Sequence, residues 1–277
     1  MIRTATQLKA KVRNLSGGDS TKAQTLIRNF IMERFLERIA LSPYRDSLIL
    51  KGGMLVASIV GLETRATMDI DTTARLISLS RETAIKMVDK IIAVAVDDGI
   101  TFSVTKVTEI MEEHDNPGIR FMLEATLDRM QQAIRLDIST GDIITPGAVE
   151  YAYPLMFEWR TIPLWTYNLE TLLAEKLETV MTRGTTNTRM RDFYDIHILT
   201  QQETVDAPLL KAAFLATSEK RQSLHQLAAL DQILHTLEQD ETMQSLWERY
   251  RDESFFVGEL TWAVVMKDVK DLFKKAK

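Results

Sequence analysis

The chain has 277 residues, 45% hydrophobic and 26% charged, enough to bury the core of one large or two modest domains. Its 34 Lys and Arg against 39 Asp and Glu leave a net charge of -5, so the overall field attracts no polyanion, and a nucleotide would need a local basic patch. The absence of cysteine excludes disulfides, thiolate zinc sites, iron–sulfur clusters and cysteine nucleophiles; the four histidines, His114, His197, His225 and His235, lack the spacing of a helical zinc motif.

The first residues, MIRTATQLKAKVRNLSGGDS, hold no continuous apolar run before a small-residue cleavage site, so no signal peptide is expected. The longest weakly polar runs, near 48–61 and 90–96, fall short of the roughly 20 apolar residues of a membrane span. A soluble cytoplasmic protein is the expectation, with no membrane partner. No repeat or linker-like tract interrupts the chain.

After Gly17 and Gly18, with Ser20 as candidate cap, Leu26, Ile27, Phe30, Ile31, Leu36 and Ile39 recur at helical spacing until Pro43, predicting a helix with one buried face. Residues 47–50 form a short β-like run ending in Lys51-Gly52-Gly53, and a helical stretch follows over 54–60. Gly52 and Gly53 therefore open a helix, where free N–H groups and the helix dipole favour an anion. In Met68-Asp69-Ile70-Asp71 apolar and acidic residues alternate with the period of a strand, so both carboxylates face one side. Residues 80–96 read as a helix with Ser80 and Glu82 at its start. From 101 to 140 three β-like pieces, TFSVTKV, IRFMLEATL and AIRLDIST, predict an antiparallel meander with a turn near Asp128 and an acid, Asp137, inside the third piece.

The aromatic, proline-containing stretch 152–167 reads as a crossover, and everything beyond it as helical. Asn168 or Thr171 caps a helix through Leu172, Leu177 and Val180. A break at 183–187 precedes a helix from about Thr188 through Asp195 and Leu199, and amphipathic segments follow near 209–215, 226–237, 243–250 and 260–273. The expected fold class is α+β, with a mixed sheet and helices over residues 1–165 and a helical C-terminal domain over 166–277.

Asp69, Asp71 and Asp137 would repel one another in an apolar sheet unless a cation neutralised them. Mg²⁺, or Mn²⁺ in its place, suits such hard oxygen ligands, with substrate phosphates completing its shell. In the C-terminal part, Lys176, Arg183, Arg189 and Arg191 stand against one acid, Glu178, a local charge of +3 that suits phosphate oxygens. Neither Glu175 nor Glu178 has a cation four residues on, so the helix does not neutralise itself. Arg65, four residues before Asp69, is a further phosphate candidate. Asp195, four residues past Arg191, lies on the same helix face and is expected to orient that arginine, with Asp192 a structural partner.

The order Gly-Gly, D-x-D, single strand acid resembles the nucleotidyltransferase superfamily with a polymerase β-like core. The segments LILKGGMLVASIVGLETRATMDIDTTARL, RLDISTGD and LETLLAEKLETVMTRGTTNTRMRDFYDIHIL look like the AbiEii family of toxin nucleotidyltransferases of type IV toxin–antitoxin systems, which includes the MenT-type toxins. The resemblance implies Gly52 and Gly53 for the triphosphate, Asp69 and Asp71 for metal, and Lys176 plus the R-D-x-x-D element Arg191–Asp195 in the helical domain, where Asp195 could instead serve as base for the acceptor hydroxyl. It further implies Mg²⁺-dependent transfer of a nucleotide from a nucleoside triphosphate to an acceptor hydroxyl, with tRNA 3′ ends as acceptor and a cognate antitoxin, usually a transcriptional repressor, as partner. Thr67, two residues before Asp69, is a phosphorylation target in some relatives. A protein of the same fold that binds the triphosphate without turnover and acts through a partner is the alternative.

Overall fold

The computed structural model describes residues 1–110 and 118–277, so His114 lies outside the described residues. The described chain is α+β, with a seven-stranded mixed sheet and a run of helices toward its C-terminal end. It divides into two compact units: Met1–Ile59, Ala66–Asp142 and Val149–Thr166 form the first, and Val60–Arg65, Ile143–Ala148 and Tyr167–Lys277 the second.

The first unit opens with α1 (Ala5–Ser16), unassigned in the sequence reading and capped by the Thr4 hydroxyl, which accepts from the Gln7 N–H. The cap of α2 (Ser20–Leu41) is Asp19 rather than Ser20: its carboxylate accepts from the N–H groups of Thr21 and Lys22, adding charge at the positive end of the helix dipole. The expected single buried face is also corrected. Every residue from Asn29 to Ile39 is buried, including Glu33, Arg34, Glu37 and Arg38. The charges of Arg34, Glu37 and Arg38 are tolerated because they are paired, and Glu33 accepts from Asn29 and from the Met156 N–H. Arg38 donates to both oxygens of Asp98, at 2.8 and 2.9 Å, and Arg34 lies 2.9 Å from Glu37.

Strand β1 (Leu48–Lys51) leads directly into α3 (Gly52–Val60), followed by β2 (Asp69–Ala74) and α4 (Arg81–Ile92). Helix α4 begins at a reciprocal box of Ser80 and Thr83, so the partner of Ser80 is Thr83 and not Glu82. Strands β3 (Ile100–Ile110), β4 (Gly118–Leu127) and β5 (Met130–Thr140) form the expected antiparallel meander, and Asp128 takes a positive φ at the tight β4–β5 turn. The stretch read as a crossover instead forms two strands, β6 (Val149–Pro154) and β7 (Thr161–Thr166), paired antiparallel. Its prolines do not prevent this. Pro154 ends an edge strand, and the ladder joining β7 to β1 runs through Trp165 and Thr166, beyond Pro163.

The sheet order is β3-β4-β5-β2-β1-β7-β6, and among the described residues the parallel pairs are β2/β5 and β1/β7. The buried faces of β4 and β5, with Phe121, Leu123, Leu136 and Ile138, form the core with Phe30 and Phe35 of α2. The alternation that buries these residues leaves Arg120, Arg135 and Asp137 on the opposite face.

The second unit contains α5 (Leu169–Arg183), capped by Asn168, a 3₁₀ turn at Gly184–Thr186, and then α6 (Met190–Gln202), α7 (Ala207–Lys220), α8 (Leu230–Gln239), α9 (Glu241–Glu253) and α10 (Trp262–Ala276). Leu173, Leu177, Phe193, Ile196, Phe214, Trp247, Val269 and Phe273 fill its interior. Among the described residues no helix is long and apolar enough to cross a membrane.

Candidate functional site

In the first unit the chemistry-bearing residues lie on β2, its neighbours, and the start of α3. Gly52 takes φ +65° where β1 becomes α3. A Cβ at this position would fall 2.3 Å from Asp71 Oδ2 and 2.9 Å from Asp71 Cβ and Cγ, so the glycine backbone lies directly against that carboxylate. The sequence-derived glycine pair and second acid therefore belong to one construction, and Gly53 follows, buried, as the next residue of α3. Asp69 is 2% exposed. It pairs with Arg135, and Thr67 Oγ1 donates to its Oδ1 at 3.1 Å.

Asp69 and Asp71 both lie on the face of β2 opposite Ile70, which is fully buried. Across the parallel pairing, Asp69 is in register with Arg135 and Asp71 with Asp137, and across the antiparallel pairing Asp137 is in register with Arg120. Arg120 donates to both oxygens of Asp137, each at 2.8 Å. Thus the three predicted acids share one face, and two arginines share it with them. The sequence reading missed both arginines. The R-x-D spacing in AIRLDIST already placed Arg135 on the side of Asp137, but pairing to β2 and β4 is needed to see what either arginine touches.

Two hard carboxylates on one strand face, with a glycine backbone beside one of them, fit a divalent cation whose remaining ligands come from substrate phosphates, since Mg²⁺ is commonly held by one or two carboxylates. Asp69 and Asp71 are the residues that would hold it. Among the described residues no group of three or more histidine or acidic side chains is arranged as a complete protein cage. Nearby, Lys51 Nζ donates to Asp142 at 2.8 Å, as does the Ser139 hydroxyl at 2.6 Å. Burial alone would raise the Asp142 pKa, but these donors hold it at about 2.

In the second unit a buried cluster joins Arg65 to α5 and α6. Asp195 is 0% exposed. It accepts from Arg65 Nε at 2.5 Å, from Arg65 Nη2 at 3.2 Å and from Lys176 Nζ at 2.7 Å, and Lys176 also donates to Asp192 at 3.0 Å. Two cations thus meet two carboxylates. Burial opposes charge on Asp195 and Lys176, yet Arg65 and Lys176 hold Asp195 below the usual carboxylate range, and Asp195 and Asp192 hold Lys176 above the usual amine range.

This geometry corrects two expectations about charge. Asp195 bonds Arg65 and Lys176 rather than orienting Arg191. Lys176, counted in the basic island, is buried against Asp192 and Asp195 because its α5 position faces α6. Arg189 and Arg191 are exposed at the start of α6, and Arg183 is half-buried. Glu178 and Glu175 have no cation four residues on within α5, as expected; their partner is Arg221, 43 and 46 residues on, at 2.7 and 3.3 Å. Tyr194 of α6 reinforces the cluster, its hydroxyl donating to the Thr64 carbonyl at 2.6 Å.

The fold is similar to that of JHP933 from Helicobacter pylori (18% identity, 91% of this chain and 93% of that one, TM-score 0.46). It is also similar to a candidate nucleotidyltransferase from the same organism (17% identity, 91% and 96%, TM-score 0.45). No curated relative matches. The model of the family described as nucleotidyl transferase AbiEii toxin, type IV TA system, matches residues 34–275, a span that takes in the glycine pair, the three sheet acids and the Lys176–Asp195 cluster. This chain belongs to the AbiEii family of type IV toxin nucleotidyltransferases.

Proposed function

We propose that the chain transfers a nucleoside monophosphate from a nucleoside triphosphate onto an acceptor hydroxyl, the 3′ end of a tRNA, releasing pyrophosphate, as the toxin of a cytoplasmic toxin–antitoxin pair with a cognate antitoxin. Family membership supports the reaction class, and the observation that carries the assignment of residues is the seating of Gly52 against Asp71. Only a glycine lets the start of α3 lie this close to the Asp71 carboxylate, which sets the first backbone N–H groups of the helix beside the carboxylate that would hold the cation.

In this reading Gly52 and Gly53 offer the open N–H groups of α3 to the triphosphate, while Asp69 and Asp71 hold Mg²⁺ or Mn²⁺. The metal, when bound, neutralises charge on the phosphate oxygens and on the departing pyrophosphate. The acceptor oxygen forms a bond to the α-phosphorus, the bond to the pyrophosphate oxygen breaks, and the acceptor's proton passes to solvent water. Asp137 joins as a third metal ligand when Arg120 releases it. Lys176, Arg65, Arg189 and Arg191 supply cations for phosphate. Asp195 serves this set by fixing Arg65 and Lys176, because a fully buried carboxylate with a lowered pKa and three donors is a poor base.

The test is incubation of the protein with each labelled nucleoside triphosphate, Mg²⁺ and total tRNA. Removing one metal ligand by Asp69→Asn or Asp71→Asn takes away several kcal/mol of charge stabilisation, about a hundred- to a thousandfold in rate. Absence of transfer by the wild type with all four triphosphates refutes the reading. Growth arrest on induction, relieved by Asp71→Asn and by an adjacent gene, tests the toxin role.

A further inference from the structure

On the sheet face that carries Asp69 and Asp71, each acid of the β2–β5 pair with a resolved partner is neutralised by an arginine from the same sheet. Arg135 pairs with Asp69, and Arg120 grips both oxygens of Asp137. Register makes this arrangement compulsory. Asp69 lies opposite Arg135, Asp71 opposite Asp137, and Asp137 opposite Arg120, so each arginine stands beside an acid while Asp71 and Asp137 stand side by side.

Arg135 is incompletely used. Its Nε–H is buried without a hydrogen-bond partner among the described residues, and the nearest carboxylate oxygen beyond Asp69, Asp137 Oδ2, stands 3.7 Å away. One guanidinium is thus shared between two acids while retaining a donor edge that neither satisfies. The side chains are also not sealed in. The Arg135 side chain is 32% exposed and that of Arg120 38%, so both can change partner without unfolding the sheet, whereas Asp69 is buried and needs a positive charge beside it in every state.

We propose that Arg135 and Arg120 are phosphate-binding residues that work by exchange. Without metal they neutralise Asp69 and Asp137. When a divalent cation takes the carboxylates, the guanidiniums are released together and turn their N–H forks to the phosphate oxygens that arrive with it. The buried acids keep a cation throughout, and the phosphates gain two planar donors whose geometry matches theirs. Cation and phosphate binding are then coupled: each arginine competes with the metal for a carboxylate and assists the phosphate.

That coupling gives two effects of opposite sign, which a merely structural arginine does not produce. The inference rests on the metal–triphosphate reading above, so wild type is measured first, with Mn²⁺ alone followed by electron paramagnetic resonance and with Mg²⁺ plus inorganic tripolyphosphate by calorimetry. In Arg135→Gln, loss of the competitor tightens Mn²⁺ binding about tenfold, and loss of charge-assisted hydrogen bonds weakens tripolyphosphate binding about ten- to a hundredfold. Arg120→Gln shifts both affinities the same way. Arg135→Lys, which keeps the charge and protects folding, leaves Mn²⁺ binding near wild type and still weakens tripolyphosphate, because an ammonium lacks the fork. Wild type that binds both probes, with glutamine variants that bind Mn²⁺ no more tightly or tripolyphosphate no more weakly, overturns the exchange and leaves the metal–triphosphate reading standing. Wild type that binds neither probe overturns both.

Discussion

Gly52→Ala separates backbone strain from steric conflict at the proposed site. Gly52 has φ +65°, and placing an L-residue in that region costs about 1–2 kcal/mol. The new methyl would also sit 2.3 Å from Asp71 Oδ2 and 2.9 Å from its Cβ and Cγ. The carboxylate oxygen alone could swing away, but Cβ and Cγ move only with the strand, an overpacking conflict worth about 1–3 kcal/mol. The sum is about 2–5 kcal/mol. Gly17, at φ +60° with nothing within 4 Å of its would-be Cβ, is the internal control: Gly17→Ala should cost only the strain, about 1–2 kcal/mol. Urea unfolding followed by circular dichroism measures both, and the decisive background is Asp71→Gly, which removes all three conflicting atoms. There the cost of Gly52→Ala should fall to that of Gly17→Ala. An undiminished cost in that background would refute the claim that Gly52 is seated on Asp71.

Three further outcomes follow from the charges. Asp195→Ala leaves Arg65 and Lys176 buried with a single acid nearby, a loss of about 3–5 kcal/mol; lost nucleotide transfer at unchanged stability would instead make Asp195 a catalytic base. Asp142 has a folded pKa of about 2, below the ordinary value near 3.9. Its contribution of about 2 kcal/mol is therefore complete above that ordinary value and lost as pH falls toward 2, and Asp142→Asn should flatten stability in that window. Glu33 behaves oppositely: burial raises its pKa to about 8, against its bonds from Met156 N–H and Asn29, so the folded state retains a proton that the unfolded chain releases above about 4.3. Stability then declines as pH rises from about 4.3 through 8, and Glu33→Gln should remove that decline; an unchanged pH profile in thermal unfolding would count against it.

The helices and the meander were legible because their signals are local: the 3.6-residue apolar period over 26–39, Ser80 ahead of α4, and alternation in β4 and β5. The β6–β7 hairpin was not, because Pro154 and Pro163 read as breakers until it is known which side of each strand pairs. Helix α1 was missed because its apolar positions are few and its cap, Thr4, lies inside a stretch read only for targeting signals.

The sequence by itself determined the order of elements from α2 to β5, the placing of Gly52 and Gly53 at a strand-to-helix junction, and the common face of Asp69 and Asp71, since each depends on neighbours a few residues apart. Only the tertiary structure decided which charges meet. Arg135 reaches Asp69 across 66 positions, Arg65 reaches Asp195 across 130, and Glu178 finds Arg221 across 43. Counted along the chain, Lys176 belonged to a basic island; in the fold its charge is matched by Asp192 and Asp195. Local composition counts charges, but burial forces each one to find a partner, and the partner is chosen by strand register and helix facing.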